Sequence, residues 1–365
     1  MKIYNLYLLI SLMCLFSSKS ICQTAALSQI SDYIHIINKK KIAIVANQSS
    51  FIDETHIIDS LLSLDIDIKY IFTPEHGLNG NYDAGEEVEN SIYKNIPVIS
   101  LYGDKKYIED SFFEFFEIVL FDLQDVGVRF YTYISTLHYV MESCAKNNTQ
   151  LVVLDRPNPH LQYIDGPVLD MNYKSFVGMH PVPVVYGMTI GEYSKMINGQ
   201  KWLDSGFVCD LIVIKIKNYK RSDIVEYNLP PSPNLTNLNS ILLYPSLCFF
   251  EGTIISIGRG TNLPFQIYGA PYFNTNFIFK PSPNLGSKYP KFNGQKCYGY
   301  NLSEYIESKT HLDKINLNFL INAFRQSPNK EQKVFFNSFF DKLAGNGDLK
   351  QKIIEGWNED KIRKS

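Results

Sequence analysis

The chain has 365 residues, a formal charge of −2 and six cysteines. Near-neutral charge speaks against a polyanion such as nucleic acid as partner. The length allows two domains, each with its own core.

The first 22 residues read as a signal peptide. Lys2 precedes the apolar "IYNLYLLISLMCLF", and Ser20 and Cys22 stand at −3 and −1 of a cut before Gln23. The stretch is short for the roughly 20 residues that span a bilayer, and the bulky Ile21 before Cys22 argues against a lipoprotein signal. Export to the periplasm or beyond is therefore expected. The leader carries Lys2 and Lys19 and no acid, so its removal leaves 343 residues and takes the charge from −2 to −4. No later stretch is apolar enough to cross a membrane. Cys144, Cys209, Cys248 and Cys297 remain and form no CxxC pair, so no metal site is expected from them. A disulfide is allowed in an oxidising compartment, but Cys144 and Cys209 fall in helical and strand patterns and read as small core residues.

From about 40 to 216 two periods alternate. "KKIAIVAN" (40–47), "IKYIFTP" (68–74), "IPVISLYG" (96–103), "EIVLFDLQD" (117–125), "QLVVLDRPNP" (150–159), "VPVVYG" (182–187) and "CDLIVIKI" (209–216) read as strands. "HIIDSLLSL" (56–64), 131–148 and 189–199 have helical spacing, with Ile134, Leu137, Met141 and Cys144 on one face of the second. Continuous apolar strands between amphipathic helices predict a Rossmann-like, mostly parallel sheet covered on both faces, an α/β domain over 23–225. "NLPPSPNL" (228–235) then breaks regular structure, and Gly and Pro punctuate the chain to about 290 before helical spacing returns. A smaller α+β C-terminal domain over 226–365 is expected to complete a cleft.

Each strand ends in a polar cluster: Asn47-Gln48-Ser49, then Glu75-His76-Gly77 with Glu86 and Glu87 behind it, then Asp122 with Asp125 and Arg129, then Asp155-Arg156 with Asn158. Strand C-termini of an open parallel sheet converge on one edge, where ligands bind. Asp122 also suits an N-cap or a supporting position behind the site, Arg156 a structural ion pair with the adjacent Asp155 able to neutralise it, Asn47 a turn cap, and His76 a bond to a carbonyl. Glu75, between a proline and a histidine, has little capping use. GxGxxG after the first strand, GxxxxGK[ST] and GxSxG are all absent, which leaves dinucleotide, NTP and serine-hydrolase chemistry unsupported. HExxH-like spacing is absent too, and no cofactor is predicted. Carboxylates beside Tyr102, Tyr131, Tyr133 and Tyr186 suit a sugar, since aromatic rings cover its apolar face and acids carry out glycosyl transfer.

"VANQSS", "FTPEHGLNGNYDAGEEV", "LFDLQDVGVRFYTYISTLHYVME", "VVLDRPNP", "PPSPNL" and "YPSLCFFEGTIISIGRGTNLPFQIYGAP" together resemble the NamZ-type exo-β-N-acetylmuramidases, over about 40–302. The resemblance implies a glycoside hydrolase that releases N-acetylmuramic acid from non-reducing ends of peptidoglycan fragments, with its site between a Rossmann-like domain and a smaller one. It implies catalytic positions at Glu75 and Glu86, with His76 and Asp125. Substrate contacts are implied at Asn47, Arg129, Tyr131, Asp155, Arg156, Asn158 and Arg259. Ile254 departs from the asparagine expected there, and Tyr272 from tryptophan. Glu75 is expected to be the general acid, and Arg259, with Arg129 next, to meet the lactyl carboxylate of the sugar. The alternative is a non-catalytic binding protein for cell-wall sugars on the same fold.

Overall fold

A computed structural model describes residues 25–365 except 226, 228, 308 and 310, together with the backbone of 21–22. The leader assigned to 1–22 otherwise lies outside the described residues. The first module is built on a seven-stranded sheet and the helices that cover it: α1 (Ile30–Ile37), β1 (Lys41–Val45), α2 (Ile57–Leu62), β2 (Asp67–Thr73), β3 (Ser91–Tyr93), β4 (Ile96–Ser100), β5 (Ile118–Phe121), α3 (Tyr133–Lys146), β6 (Gln150–Leu154), α4 (Ile190–Gly199) and β7 (Leu211–Ile214). The sheet order is β7-β6-β5-β1-β2-β4-β3, parallel throughout except for the β3–β4 edge hairpin.

Strand geometry sends alternate side chains to opposite faces, and here both faces are apolar. Ala43, Val45, Val119, Phe121, Leu151 and Val153 face a core shared with α3 and α4. Ile42, Ile44, Ile118, Leu120, Val152 and Leu154 face a second core shared with α1 and α2. This is why the strands read as unbroken apolar runs. The parallel strands follow the order 3-2-1-4-5-6, so the winding reverses between β1 and β5. The expected strand at 182–187 does not join the sheet. Pro181 and Pro183 lack N–H donors, and only Val185 forms isolated bridges, to Val128 and Asp165.

The second module holds α5 (Leu238–Leu247), a three-stranded antiparallel sheet in the order β8 (Ile267–Ala270), β10 (Cys297–Asn301), β9 (Phe277–Phe279), and α6 (Asn318–Gln326) followed by short helices. Gly269 and Gly299 sit opposite each other between β8 and β10. A Cβ at Gly299 would fall 2.0 Å from the Tyr268 carbonyl oxygen, so the strands approach closely only because neither residue has one. All four described cysteines, Cys144, Cys209, Cys248 and Cys297, are buried and unpaired.

Two buried side chains join the modules. Pro245 inside α5 cannot donate to the Ile241 carbonyl one turn back. His160, fully buried in the loop after β6, donates to it instead through Nε2 at 3.0 Å. Burial pushes this imidazole down to about 4, so it stays neutral. Arg129 is also fully buried. Its Nη1 donates to the carbonyls of Pro167 and Val182, both at 2.8 Å, and its Nη2 to those of Leu343 and Ala344, at 3.1 and 2.9 Å. The first two belong to the sheet module and the last two to the second. Removing such a donor orphans several buried carbonyls at about 1–3 kcal/mol each. Arg129→Met should therefore cost at least about 3 kcal/mol, read as a lower urea midpoint at unchanged slope. A loss under about 1 kcal/mol would show that the carbonyls find other partners.

Candidate active site

The sheet presents Glu75 two residues beyond the end of β2 and Tyr102 two residues beyond β4. Both line a cleft of about 390 Å³ between the modules. Thr132, at the start of α3, lies beside them, and Tyr131, Phe176, Ser232, Asn234, Glu251 and Arg259 complete much of the wall. The Glu75 carboxylate accepts from the Gly85 N–H at 3.0 Å and from the Thr132 hydroxyl at 2.7 Å. The Tyr102 hydroxyl also bonds toward it, and burial followed by this negative neighbour pushes the phenol well above its usual range. Gly85 can return to Glu75 because the intervening chain turns through the left-handed region at His76 (φ +74°), Gly77, Gly80 and Gly85 (φ +79°). A Cβ at Gly77 would meet the Tyr82 ring at 2.9 Å.

His76 lines the cleft beside Glu75. Its Nδ1 lies 2.8 Å from the Tyr82 carbonyl, which can only accept, so the proton sits on Nδ1. Nε2 is left to accept from the Ser232 hydroxyl at 3.2 Å. Burial holds the imidazole below its usual range even with Glu75 nearby, so it is neutral.

Across the cleft Arg259 donates from Nε to Glu251 at 2.6 Å, and its guanidinium lies 5.2 Å from the centre of the Phe265 ring. Burial raises the Glu251 carboxyl, but Arg259 and Lys291 outweigh it and hold the group below its usual range. Lys291 donates to the Phe250 and Thr253 carbonyls at 2.9 and 2.6 Å, which pins the turn that carries Glu251. Neither Nη of Arg259 bonds to another described residue.

The other sequence-predicted positions are placed differently. Glu86 accepts from the Asp83 N–H at 2.8 Å and pairs with Lys288 of the second module, which holds its carboxyl below the usual range. It does not line the cleft, and Glu87 is exposed. Arg129 is the clamp between modules described above. Arg156 forms a buried two-pronged pair with Asp122, Nε–Oδ1 2.7 Å and Nη2–Oδ2 2.5 Å, and reaches the Ser49 carbonyl. Its partner is thus Asp122 and not the adjacent Asp155, which instead accepts from the Thr189 hydroxyl and the Gly191 N–H at the start of α4. Asn47 caps its own turn by accepting from Ser49 and bonds the Tyr133 hydroxyl. Asn158 accepts from the His160 N–H and donates to the Met188 carbonyl, which sets the loop that aims His160. Tyr131 lines the cleft with its ring and donates its hydroxyl to the Pro231 carbonyl at 2.8 Å. Thr132, Ser232 and Glu251 were not singled out in the sequence, since a neutral hydroxyl before a helix and an acid in a long motif carry no distinctive spacing.

Asp125 is buried behind the cleft. Its Oδ2 accepts from the Gly127 N–H at 2.8 Å and from the Tyr186 hydroxyl, while Oδ1 has no hydrogen-bond partner among the described residues. Burial pushes the carboxyl up to about 6, against the lowering effect of those bonds. A folded-state value above the unfolded one means that folding favours the protonated form. The contribution is complete below about 3.8 and is lost as pH rises through about 6. That span corresponds to about 3 kcal/mol at most. The urea midpoint should therefore fall between about pH 4 and 6.5, and Asp125→Asn should flatten the fall. Equal slopes for both proteins would mean that Asp125 does not titrate in this window.

Two family models together cover nearly the whole chain from residue 42 onward. The family model described as "Exo-beta-N-acetylmuramidase NamZ, N-terminal" matches residues 42–239, and its C-terminal counterpart matches 242–365. The chain is 35% identical to the peptidoglycan beta-N-acetylmuramidase NamZ of Bacillus subtilis (strain 168), over 93% of this chain and 86% of that protein. A crystal structure of a DUF1343 family protein from Bacteroides fragilis superposes with a TM-score of 0.83 at 41% identity, covering 93% of this chain and 92% of that one. A second protein of that description from the same organism gives 0.78 at 23% identity, covering 94% of each chain, and bears on the fold alone. With both halves matched in order, the chain belongs to the exo-β-N-acetylmuramidase NamZ family.

Proposed function

We propose that the chain is a glycoside hydrolase that releases N-acetylmuramic acid from the non-reducing ends of peptidoglycan-derived saccharides. The observation that carries this reading is Glu75. Of the two carboxylates that line the cleft, Glu251 is held by Arg259, whereas Glu75 is oriented by an amide and hydroxyls and has no cationic partner among the described residues. Glycosidic cleavage needs a proton on the leaving oxygen and then a base for water, and one carboxyl can serve both steps. Retaining enzymes with a protein nucleophile need a second carboxylate about 5–5.5 Å away. Glu86 is tied to Lys288 and Glu251 to Arg259. The arrangement therefore favours attack on C1 by the sugar's own acetamido carbonyl, with Glu75 protonating the departing oxygen. Water then opens the cyclic species with Glu75 as base, and the β configuration is retained.

Release of nitrophenol from 4-nitrophenyl N-acetyl-β-muramide tests the activity, and saturable binding without turnover would leave only the sugar-binding reading. Glu75→Gln keeps the shape of the side chain and removes its proton. It should lower kcat on a natural disaccharide by about 10²–10⁴-fold and lower it much less on the nitrophenyl sugar, whose leaving group needs little protonation. NMR during the first minutes should reveal β-N-acetylmuramic acid as the first product. Near-normal disaccharide turnover by the variant, or an α product, would overturn the assignment.

The muramic sugar differs from N-acetylglucosamine by a lactyl ether bearing a carboxylate. Arg259 supplies the matching cation, with Nε engaged by Glu251 and both Nη free to make a charge-assisted pair. Arg259→Ala should lower kcat/KM for the muramide by about tenfold or more, at about 1.4 kcal/mol per decade, and affect the corresponding glucosaminide far less. Equal losses on the two sugars would assign Arg259 to the general integrity of the cleft.

A further inference from the structure

Behind the ion pair that faces the cleft stands a second cation. Arg259 and Glu251 line the cleft with side chains 21% and 24% exposed, whereas Lys291 does not line it. Helix α5 runs directly into a 3₁₀ turn over Cys248–Gly252. The carbonyls at the end of such a rod have no next turn to bond, and a cation is favoured there. Lys291 fills that place. Besides the Phe250 and Thr253 carbonyls, its Nζ reaches those of Ile255 and Glu251 at 3.3 and 3.4 Å. Carbonyl oxygens only accept, so this cage suits an ammonium with three N–H donors and not an amine that turns a lone pair toward one of them. The segment also touches Arg259 from its other side. A Cβ at Gly260 would fall 2.7 Å from the Pro290 Cβ, so the residue before Lys291 packs against the residue after Arg259.

The charges around the pair show what the second cation changes. Arg259 and Glu251 alone sum to zero, and a neutral pair gives an anion little net attraction. Nearby groups do not add to it. His76 is neutral, and Glu75 is neutral while it carries the proton it donates. Asp83, whose charge acts on Arg259, is bonded to the Lys288 N–H and lies beside the Glu86–Lys288 pair, two acids and one cation in all. Lys291 raises the sum at the ion pair from zero to one positive charge. Both Lys291 and Arg259 act on the Glu251 carboxyl between them. Near a protein surface the effective dielectric is about 20, low enough for a unit charge behind the pair to be felt across it.

We infer that Lys291 is a positioning and specificity residue. It holds the turn that carries Glu251 and makes the Glu251–Arg259 pair net cationic toward the cleft, so that it selects the charged lactyl group without touching the substrate. The inference rests on the muramidase reading of the cleft, with Arg259 as the group that meets the carboxylate.

The probes are N-acetylmuramic acid and its lactyl amide, which differ in charge and hardly in shape. Calorimetric titration with each needs no turnover. The wild type should bind the acid more tightly than the amide. Lys291→Met should cut that preference about tenfold and leave the affinity for the amide unchanged. Lys291→Arg keeps the charge and should keep the preference. Glu251→Gln still offers an acceptor to Arg259 Nε and takes the sum from one positive charge to two, so it should enlarge the preference. That change runs opposite to what lost packing would produce, and it decides the question if Lys291→Met does not fold. A preference that survives Lys291→Met, an equal loss on acid and amide, or a preference narrowed by Glu251→Gln would overturn the inference. A preference that survives Arg259→Ala and disappears in Lys291→Met would overturn the Arg259 assignment and keep the role of Lys291. No preference in the wild type would overturn both.

Discussion

A buried guanidinium surrounded by carbonyls sets the geometry of the whole molecule. Arg129 has no carboxylate partner among the described residues, and four main-chain oxygens from the two modules converge on it. Burial lowers its affinity for the proton to about 10, which still leaves it charged at neutral pH. Each carbonyl is in turn satisfied by the charge, so the cation and the loops around it hold one another in place. One wall of the cleft carries Glu75 and the other carries Arg259, and their separation is a consequence of this contact and of the His160 bond to the proline-interrupted helix. The largest apolar core runs without a break through both modules, so the division into two is architectural more than energetic.

The winding of the sheet reverses between β1 and β5, and in open α/β sheets that crevice is the usual place for a ligand. Here the crevice is occupied by the protein's own groups. Asp122 and Arg156 pair within it, the Ser49 carbonyl takes a further guanidinium bond, and the Tyr131 and Tyr133 hydroxyls meet the Pro231 carbonyl above it. A buried pair of this kind is costly to desolvate and repays the cost only with near-ideal geometry, which the two-pronged contact supplies. With the crevice filled, the open cleft lies further along the same edge, at the ends of β2 and β4. The fold thus keeps the edge that presents side chains and moves the site along it.

The architecture was legible in the sequence because parallel strands covered on both faces leave unbroken runs of Ile, Val and Leu, and helices leave a different period. The polar clusters at strand ends were legible as clusters but not as roles. Glu75 and His76 face the cleft, whereas Asp122, Asp125, Asp155 and Asn158, from the same kind of position, turn inward and bond main-chain groups or other buried side chains. Sequence marks where a polar group leaves a strand, and its direction depends on partners dozens of residues away. Arg129 illustrates the point, since nothing adjacent to it foretells the carbonyls of Leu343 and Ala344. The strand reading of 182–187 failed for a local reason, because its β-branched residues alternate with prolines that cannot donate to a ladder.

The three groups that orient Glu75 differ in how they can be lost. Thr132 and Tyr102 contribute hydroxyls, and a single-base change can delete either one. Gly85 contributes a main-chain N–H that every residue except proline possesses. Its φ of +79° is closed to proline and uncomfortable for the others, so change at this position displaces the donor and does not remove it. In a lineage released from selection, the hydroxyls would erode first and the loop backbone would outlast them. A descendant with the glycine turn intact but without the threonine or tyrosine would keep the outline of the site after losing its chemistry, and such an outline is a poor guide to activity among distant relatives.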